Sequence, residues 1–118
     1  MKIQESAENY LETILMLSKS GKVRSVDISA ELDFTKPSVS VAMKKLRTDG
    51  YIEVDSGGFI TLTERGKAIA EKMYERHLLL SRWLMSLGVC EETAIRDACK
   101  IEHVISEESF GAIAAQFL

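Results

Sequence analysis

The stretch that most constrains this chain is residues 35–62, TKPSVSVAMKKLRTDGYIEVDSGGFITL. Thr35 can cap a helix whose first turn holds Pro37, where a missing N–H costs nothing. Val39, Ala42, Met43 and Leu46 follow a helical period and leave Ser38, Ser40, Lys44, Lys45 and Arg47 on the opposite side, and Asp49-Gly50 ends the element. Tyr51, Ile52 and Val54 then form one β-rich run and Phe59, Ile60 and Leu62 another, with Ser-Gly-Gly between them as a hairpin signal. Upstream, Tyr10, Leu11, Ile14, Leu15 and Leu17 predict an amphipathic helix over Glu5 to Lys19, closed by Gly21. Ser25 can cap a short helix carrying Val26, Ile28, Ala30 and Leu32, followed by a turn at Asp33-Phe34. Three helices and a hairpin, the third helix basic and serine-rich, make the order of a winged helix-turn-helix. Lys36 to Thr48 is the expected recognition helix and Asp55 to Phe59 the wing. A small helical domain with a merely solvated charged helix would leave the glycine hairpin after a capped basic helix unexplained.

A net charge of −3 argues against nucleic acid until its distribution is considered. Acids and bases balance over residues 1–74 and acids prevail over 75–118, but within Thr35 to Gly50 four cations face only Asp49. On a recognition helix, Pro37, Ser38 and Ser40 are expected near base edges and Lys36, Lys44 and Lys45 near the backbone of double-stranded operator DNA, with Arg24 adding a phosphate contact.

Thr63 and Glu64 begin a long helix that can run to Leu87, with Met73, Leu80, Leu84 and Leu87 in one stripe and Gly88 as its stop. Two more helices are expected, Glu91 to Ile105 and Glu107 to Leu118. The chain therefore reads as mostly α with a small β-hairpin: a winged helix-turn-helix over 1–74, then a helical region over 75–118 for dimerisation and, on the ligand pattern of residues 97–103, metal binding. In the second part Leu78, Leu79, Trp83, Leu84, Ile95, Ile101, Val104 and Ile105 need a partner surface, and a homodimer matching a palindromic operator is the economical answer. The opening Met-Lys-Ile-Gln-Glu lacks the apolar stretch of a secretory signal. The most apolar segment, Leu78 to Val89, is broken by Arg82 and falls short of the ~20 residues of a membrane span. Cys90 and Cys99 have no CxxC spacing. A cytoplasmic protein with reduced cysteines and no membrane partner is expected.

A second pattern lies in DACKIEH, residues 97–103, where Cys99, Glu102 and His103 fall at i, i+3 and i+4 of a helix. His77 sits on the long helix, and Glu8, Asn9 and Glu12 occupy adjacent turns of the first. Singly, each has an ordinary reading as a solvated carboxylate, a packed imidazole or a small buried thiol. Jointly they suit a mixed N/O/S site for a first-row divalent cation. CKIEH is also one residue from the inverted zincin motif, but the Cys, the short chain and the lack of a substrate-binding segment argue against an enzyme. The alternative from another class is a winged-helix regulator with vestigial metal residues, controlled by oxidation at Cys99 or by a partner protein.

The segments ESAENYLETI, KPSVSVAMKKLRTDGYIE, LTERGKAIAE, ERHLLL and ACKIEHVIS occur in the order found in the diphtheria toxin repressor and manganese transport regulator family, which the chain resembles over nearly its whole length. The resemblance implies a cytoplasmic homodimer that takes Fe²⁺ or Mn²⁺, one or two per subunit, and represses metal-uptake genes. Glu12, His77, Glu102 and His103 match shared ligands of that family, and Cys99 resembles the iron-responsive branch. Asn9 matches neither branch, since one has Asp there and the other Met. The ancillary-site Glu near Ser81 and His near Ile95 are absent, as is a third, SH3-like domain. The implied protein is a hybrid whose thiol tilts it toward Fe²⁺. Its ligands would come from both halves, so a cation is expected to tie them and hold the recognition helices one DNA turn, roughly 34 Å, apart.

Overall fold

A computed structural model describes residues 5–117; the expected last position of the final helix, Leu118, lies outside them, as do residues 1–4. The element order is α1 (Glu5–Ser18), α2 (Ser25–Leu32), α3 (Lys36–Thr48), β1 (Ile52–Val54), β2 (Ile60–Leu62), α4 (Glu64–Ser86), α5 (Glu91–Val104) and α6 (Glu107–Phe117). The chain divides into two units between Glu71 and Lys72, inside α4. No helix among the described residues is long and apolar enough to cross a membrane.

The first unit is the winged helix. Its α3 begins as the residue types dictate: Thr35 is extended and its hydroxyl oxygen accepts the Ser38 N–H at 3.3 Å, with Pro37 in the first turn. At α2 the expectation needs correction. Ser25 is the first helical residue and Arg24 is the cap. The reason is Asp27, whose carboxylate accepts the Arg24 backbone N–H at 2.9 Å and so supplies the return arm of a capping box. Asp33 ends α2 in the left-handed region, φ 56°, which its short polar side chain tolerates. The antiparallel hairpin pairs Ile52 with Leu62, Glu53 with Thr61 and Val54 with Ile60. Asp55 shapes its turn by accepting the Gly57 and Phe59 N–H groups, each at 2.9 Å. Val23 makes an isolated antiparallel bridge to Ile60 at the edge of this two-stranded sheet.

Leu11, Ile14, Val23, Ile28, Val39 and Ile52 are the large side chains at the centre of this unit's core, closed by Tyr10, Met43, Leu46, Tyr51, Ile60 and Ala70. Gly66 is obligatory, because a Cβ there would stand 2.0 Å from the Tyr51 carbonyl oxygen.

In the second unit α4 stops one residue before the expected Leu87, with Gly88 at φ 98° beyond it. Its buried residues are Met73, Leu80, Ala94 and Ala98 together with three polar ones, Arg76, Ser81 and Glu102. Ala94, Ala98 and Glu102 follow one another at i, i+4 and i+8 along the inward ridge of α5, while Ile95 and Val104 face outward, 40% and 71% exposed. No described residue of α6 is buried.

Candidate metal centre and nucleic-acid face

The inward ridge of α5 is apolar until its last member, and that member is a carboxylate. Glu102 is fully buried, and neither of its carboxylate oxygens has a hydrogen-bond partner. A buried polar group without a hydrogen bond is costly, and a charged one more so. Its nearest cationic group is His77 on α4, with Nδ1 3.4 Å from Oε1. Cys99, one turn before Glu102, places its Sγ 3.6 Å from the same Nδ1. One ligand atom from each of His77, Cys99 and Glu102 fits within a 4.8 Å span, so an imidazole nitrogen, a thiol sulfur and a carboxylate oxygen converge. Both cysteines are free, and Cys99 is on the exposed side of the cluster.

The arrangement acts on the imidazole. The Cys99 thiol hydrogen-bonded to Nδ1 and then the Glu102 carboxylate ion-paired with it, opposed by burial, push His77 up from its ordinary 6.5 to about 10. His77 is therefore an imidazolium at neutral pH and balances the buried carboxylate. The same donors suit a cation that displaces this proton: a buried unpartnered carboxylate, an imidazole and a thiol are the N, O and S ligands of first-row divalent metals.

Two residues that sequence reasoning passed over brace the cluster. Arg76 is buried, and its Nη1 donates to the carbonyls of Glu102 at 3.1 Å and Ile105 at 3.0 Å, holding the last turn of α5 beside α4. Its signal was present, because Met73, Arg76 and Leu80 fall at i, i+3 and i+7 on one buried stripe. Ser81 donates to the His77 carbonyl at 2.8 Å. His103 is partly buried on α5 and is not one of the three donors that converge with His77, although a nitrogen of its ring lies within 4.8 Å of a Glu102 carboxylate oxygen. On α1, in the first unit, Asn9 and Glu12 are both partly buried, and the Asn9 carbonyl accepts the Thr13 hydroxyl at 2.8 Å.

The first unit presents the second set. Val39, Met43 and Leu46 anchor one side of α3 in the core, which leaves Lys36, Pro37, Ser38, Ser40, Lys44 and Lys45 all exposed. Val41 is 71% exposed among them. Arg24 is exposed just ahead of α2. Arg65 fixes the end of α3 to the hairpin by donating to the Asp49 carbonyl at 2.9 Å and the Tyr51 hydroxyl at 3.0 Å, with its guanidinium over the Tyr51 ring. An exposed basic helix set on a core and followed by a hairpin is the form of a DNA-reading element.

Comparison with known proteins agrees with both halves. Residues 2–57 match the family model for the iron dependent repressor, N-terminal DNA binding domain, and residues 63–117 match that for its metal binding and dimerisation domain. The transcriptional regulator MntR of Escherichia coli O6:H1 is 36% identical over 110 residues, 92% of this chain and 71% of the relative. The HTH-type transcriptional regulator MntR of Lysinibacillus sphaericus is 34% identical over 110 residues, covering 92% of this chain and 79% of the relative. Among solved structures, a manganese-dependent transcriptional repressor in complex with manganese superposes with a TM-score of 0.85 at 27% identity, over 94% of this chain and 52% of the other. IdeR of T. acidophilum gives 0.79 at 28% identity, over 99% and 55%. The chain thus spans about half the length of these two solved structures.

Proposed function

The chain belongs to the iron dependent repressor family, and from that premise we propose that it is a cytoplasmic transcriptional repressor. It binds double-stranded operator DNA as a homodimer when loaded with Fe²⁺ or Mn²⁺ and controls metal-uptake genes. Residues 1–74 carry DNA binding, and residues 75–118 carry metal binding and dimerisation. It acts by binding rather than by catalysis, as its relatives are transcriptional regulators.

The observation that carries this reading is Glu102, a fully buried carboxylate with no hydrogen-bond donor, set between an imidazole and a thiol in the part of the chain matched to metal binding. His77, Cys99 and Glu102 would hold the ion. His103, Glu12 and Asn9 are proposed as further ligands on the strength of the sequence resemblance. A bound divalent cation supplies the positive charge that this donor set calls for. The chain's own residues do the rest: Arg76 holds the α5 turn that carries Glu102, Ser81 braces the turn that carries His77, and the buried side of α3 keeps its serines and lysines turned outward. Pro37, Ser38 and Ser40 are proposed at base edges, and Lys36, Lys44, Lys45 and Arg24 at phosphates.

The test is operator binding titrated in turn with Fe²⁺ under anoxia, Mn²⁺ and Zn²⁺, using duplexes selected from random sequence by the metal-loaded protein. Tightening with Fe²⁺ or Mn²⁺ and release by chelator are expected. Affinity indifferent to chelation would overturn the reading in favour of redox or partner control.

A further inference from the structure

The base of the wing holds a cationic arrangement that α3 does not account for. Val23 pairs with Ile60 across an antiparallel bridge, its carbonyl accepting the Ile60 N–H at 2.7 Å, and both side chains are buried. Side chains alternate along extended backbone, so the neighbours of Val23, Lys22 and Arg24, turn to the other side, as does Phe59 beside Ile60. The three meet there. The Lys22 ammonium lies 4.9 Å and the Arg24 guanidinium carbon 4.3 Å from the centroid of the Phe59 ring.

Both cations are exposed. The nearby acids are already engaged: Asp27 accepts the Arg24 backbone N–H, and Asp55 accepts the Gly57 and Phe59 N–H groups at the wing tip. Among the described residues neither Lys22 nor Arg24 is in an ion pair with a carboxylate. One aromatic ring thus gathers two like charges, while the Asp27 and Asp55 carboxylates, still anionic, are directed to backbone N–H groups rather than to either cation. The attraction of each for the ring quadrupole offsets their repulsion, and the ring restrains two long side chains whose ordering would otherwise cost rotamer entropy on binding. An anion placed between them would relieve the repulsion that remains.

We propose that Lys22, Phe59 and Arg24 form a clamp for the DNA backbone phosphate, in which Lys22 and Arg24 contact the anion and Phe59 is the positioning residue. This rests on the DNA-binding reading and deepens it. It adds Lys22 to the contact set, explains why the wing ends on an aromatic residue, and makes the contact independent of base sequence.

The experiment measures the affinity of the metal-loaded full chain for a random-sequence duplex over a range of salt concentrations. Each phosphate contact contributes about 0.9 to the log–log slope. Lys22→Gln and Arg24→Gln, both at exposed positions, should each flatten the slope by about 1. Phe59→Leu should flatten it although both cations remain, and Phe59→Trp should restore it, because indole is the stronger cation–π partner. A merely structural Phe59 would lower the melting temperature and leave the slope alone. If Phe59→Leu does not fold, the two Gln variants decide. Wild-type slope in both Gln variants, or in a folded Phe59→Leu protein, would overturn the clamp. A wild-type protein that binds no duplex under any metal would instead overturn the DNA-binding reading itself.

Discussion

The two units differ in what they bury. In the first, the interior is a closed set of aliphatic and aromatic side chains, and its buried polar residues, Thr13 and Ser29, return their hydroxyls to the nearby carbonyls of Asn9 and Phe34. Nothing in that interior calls for a further component. In the second, few large apolar groups are buried, while an Arg, a Ser and a Glu are, and one of these is unsatisfied. Its Leu87 and Val104 are 65% and 71% exposed in the single protomer. On the proposed function a unit built this way would be completed from outside, by a cation in its interior and a second copy on its surface. Sensing belongs where packing is incomplete, and a platform that must present α3 unchanged belongs where packing is complete.

The contrast can be tested first where the effect is largest. Ile14→Ala removes a fully buried side chain from the closed core and should cost about 3 kcal/mol in chemical unfolding, with metal affinity per folded molecule unchanged. Glu102→Met acts mainly on the metal response. Removing the buried carboxylate leaves the His77 imidazolium without its ion partner, so the metal-free protein should lose about 1 kcal/mol, a loss limited because His77 can shed its proton. The wild type should gain about 2.7 kcal/mol at a metal concentration a hundredfold above its dissociation constant, and this variant should gain nothing. A metal-induced stabilisation retained by Glu102→Met would break the comparison at its centre.

The surface of the second unit comes next. Leu87 is exposed in the protomer, so Leu87→Asp should leave the fold intact yet weaken self-association by about 2 kcal/mol, a hot-spot-sized effect. Sedimentation equilibrium reads it directly, and an unchanged dimer constant would remove this face from the interface. Trp83 and Leu84, half-buried beside it, are the expected anchors.

The pH dependence is spread over a range. With His77 near 10 in the folded protein and 6.5 as its ordinary value, metal must displace a proton at neutral pH. Apparent metal affinity should therefore rise by up to about a hundredfold per pH unit between pH 6 and 8, with release of about two protons in calorimetry, one from the His77 imidazolium and one from the Cys99 thiol, which binds as thiolate. The stability that His77 lends the metal-free protein has the sign of a raised pKa: it is fully present below about 6.5 and is lost as pH rises through about 10. His77→Ala should abolish the stability dependence and leave metal affinity with only the pH dependence of the Cys99 thiol.

The first unit was the more legible in sequence because its signals are local. Thr35, Pro37, the period of Val39, Met43 and Leu46, and the glycines of the wing each act through the nearest few residues. Even there, the cap of α2 was misassigned, because the competition between Ser25 and Arg24 is decided by the reach of Asp27. The second unit misleads a reader of periodicity. Ile95 and Val104 outweigh Ala94 and Ala98 in apolar bulk, so the alanine ridge that turns inward with Glu102 is hidden behind larger residues that turn outward. The convergence of His77 with Cys99 and Glu102 was foreseen from ligand chemistry and resemblance. Arg76 was not, because a buried guanidinium satisfied by carbonyls leaves no charge partner in the sequence to announce it.

The smallest effect concerns which metal is preferred. Cys99 is the exposed member of the cluster, 3.6 Å from His77 Nδ1, whereas Glu102 is its buried member. Exchanging the exposed donor should tune the site, and losing the buried one should abolish it. Sulfur is the softer ligand and favours Fe²⁺ over Mn²⁺, and a carboxylate suits the harder ion. Cys99→Glu should therefore keep metal-dependent DNA binding while moving the ratio of Fe²⁺ to Mn²⁺ affinity toward Mn²⁺ by about tenfold, some 1.4 kcal/mol. The measurement is competition between the two ions under anoxia, read by operator binding. A ratio unchanged in the variant would place Cys99 outside the coordination sphere and leave His77 and Glu102 to bind the ion without a thiol; a complete loss of metal response would instead show that the exposed donor matters as much as the buried one.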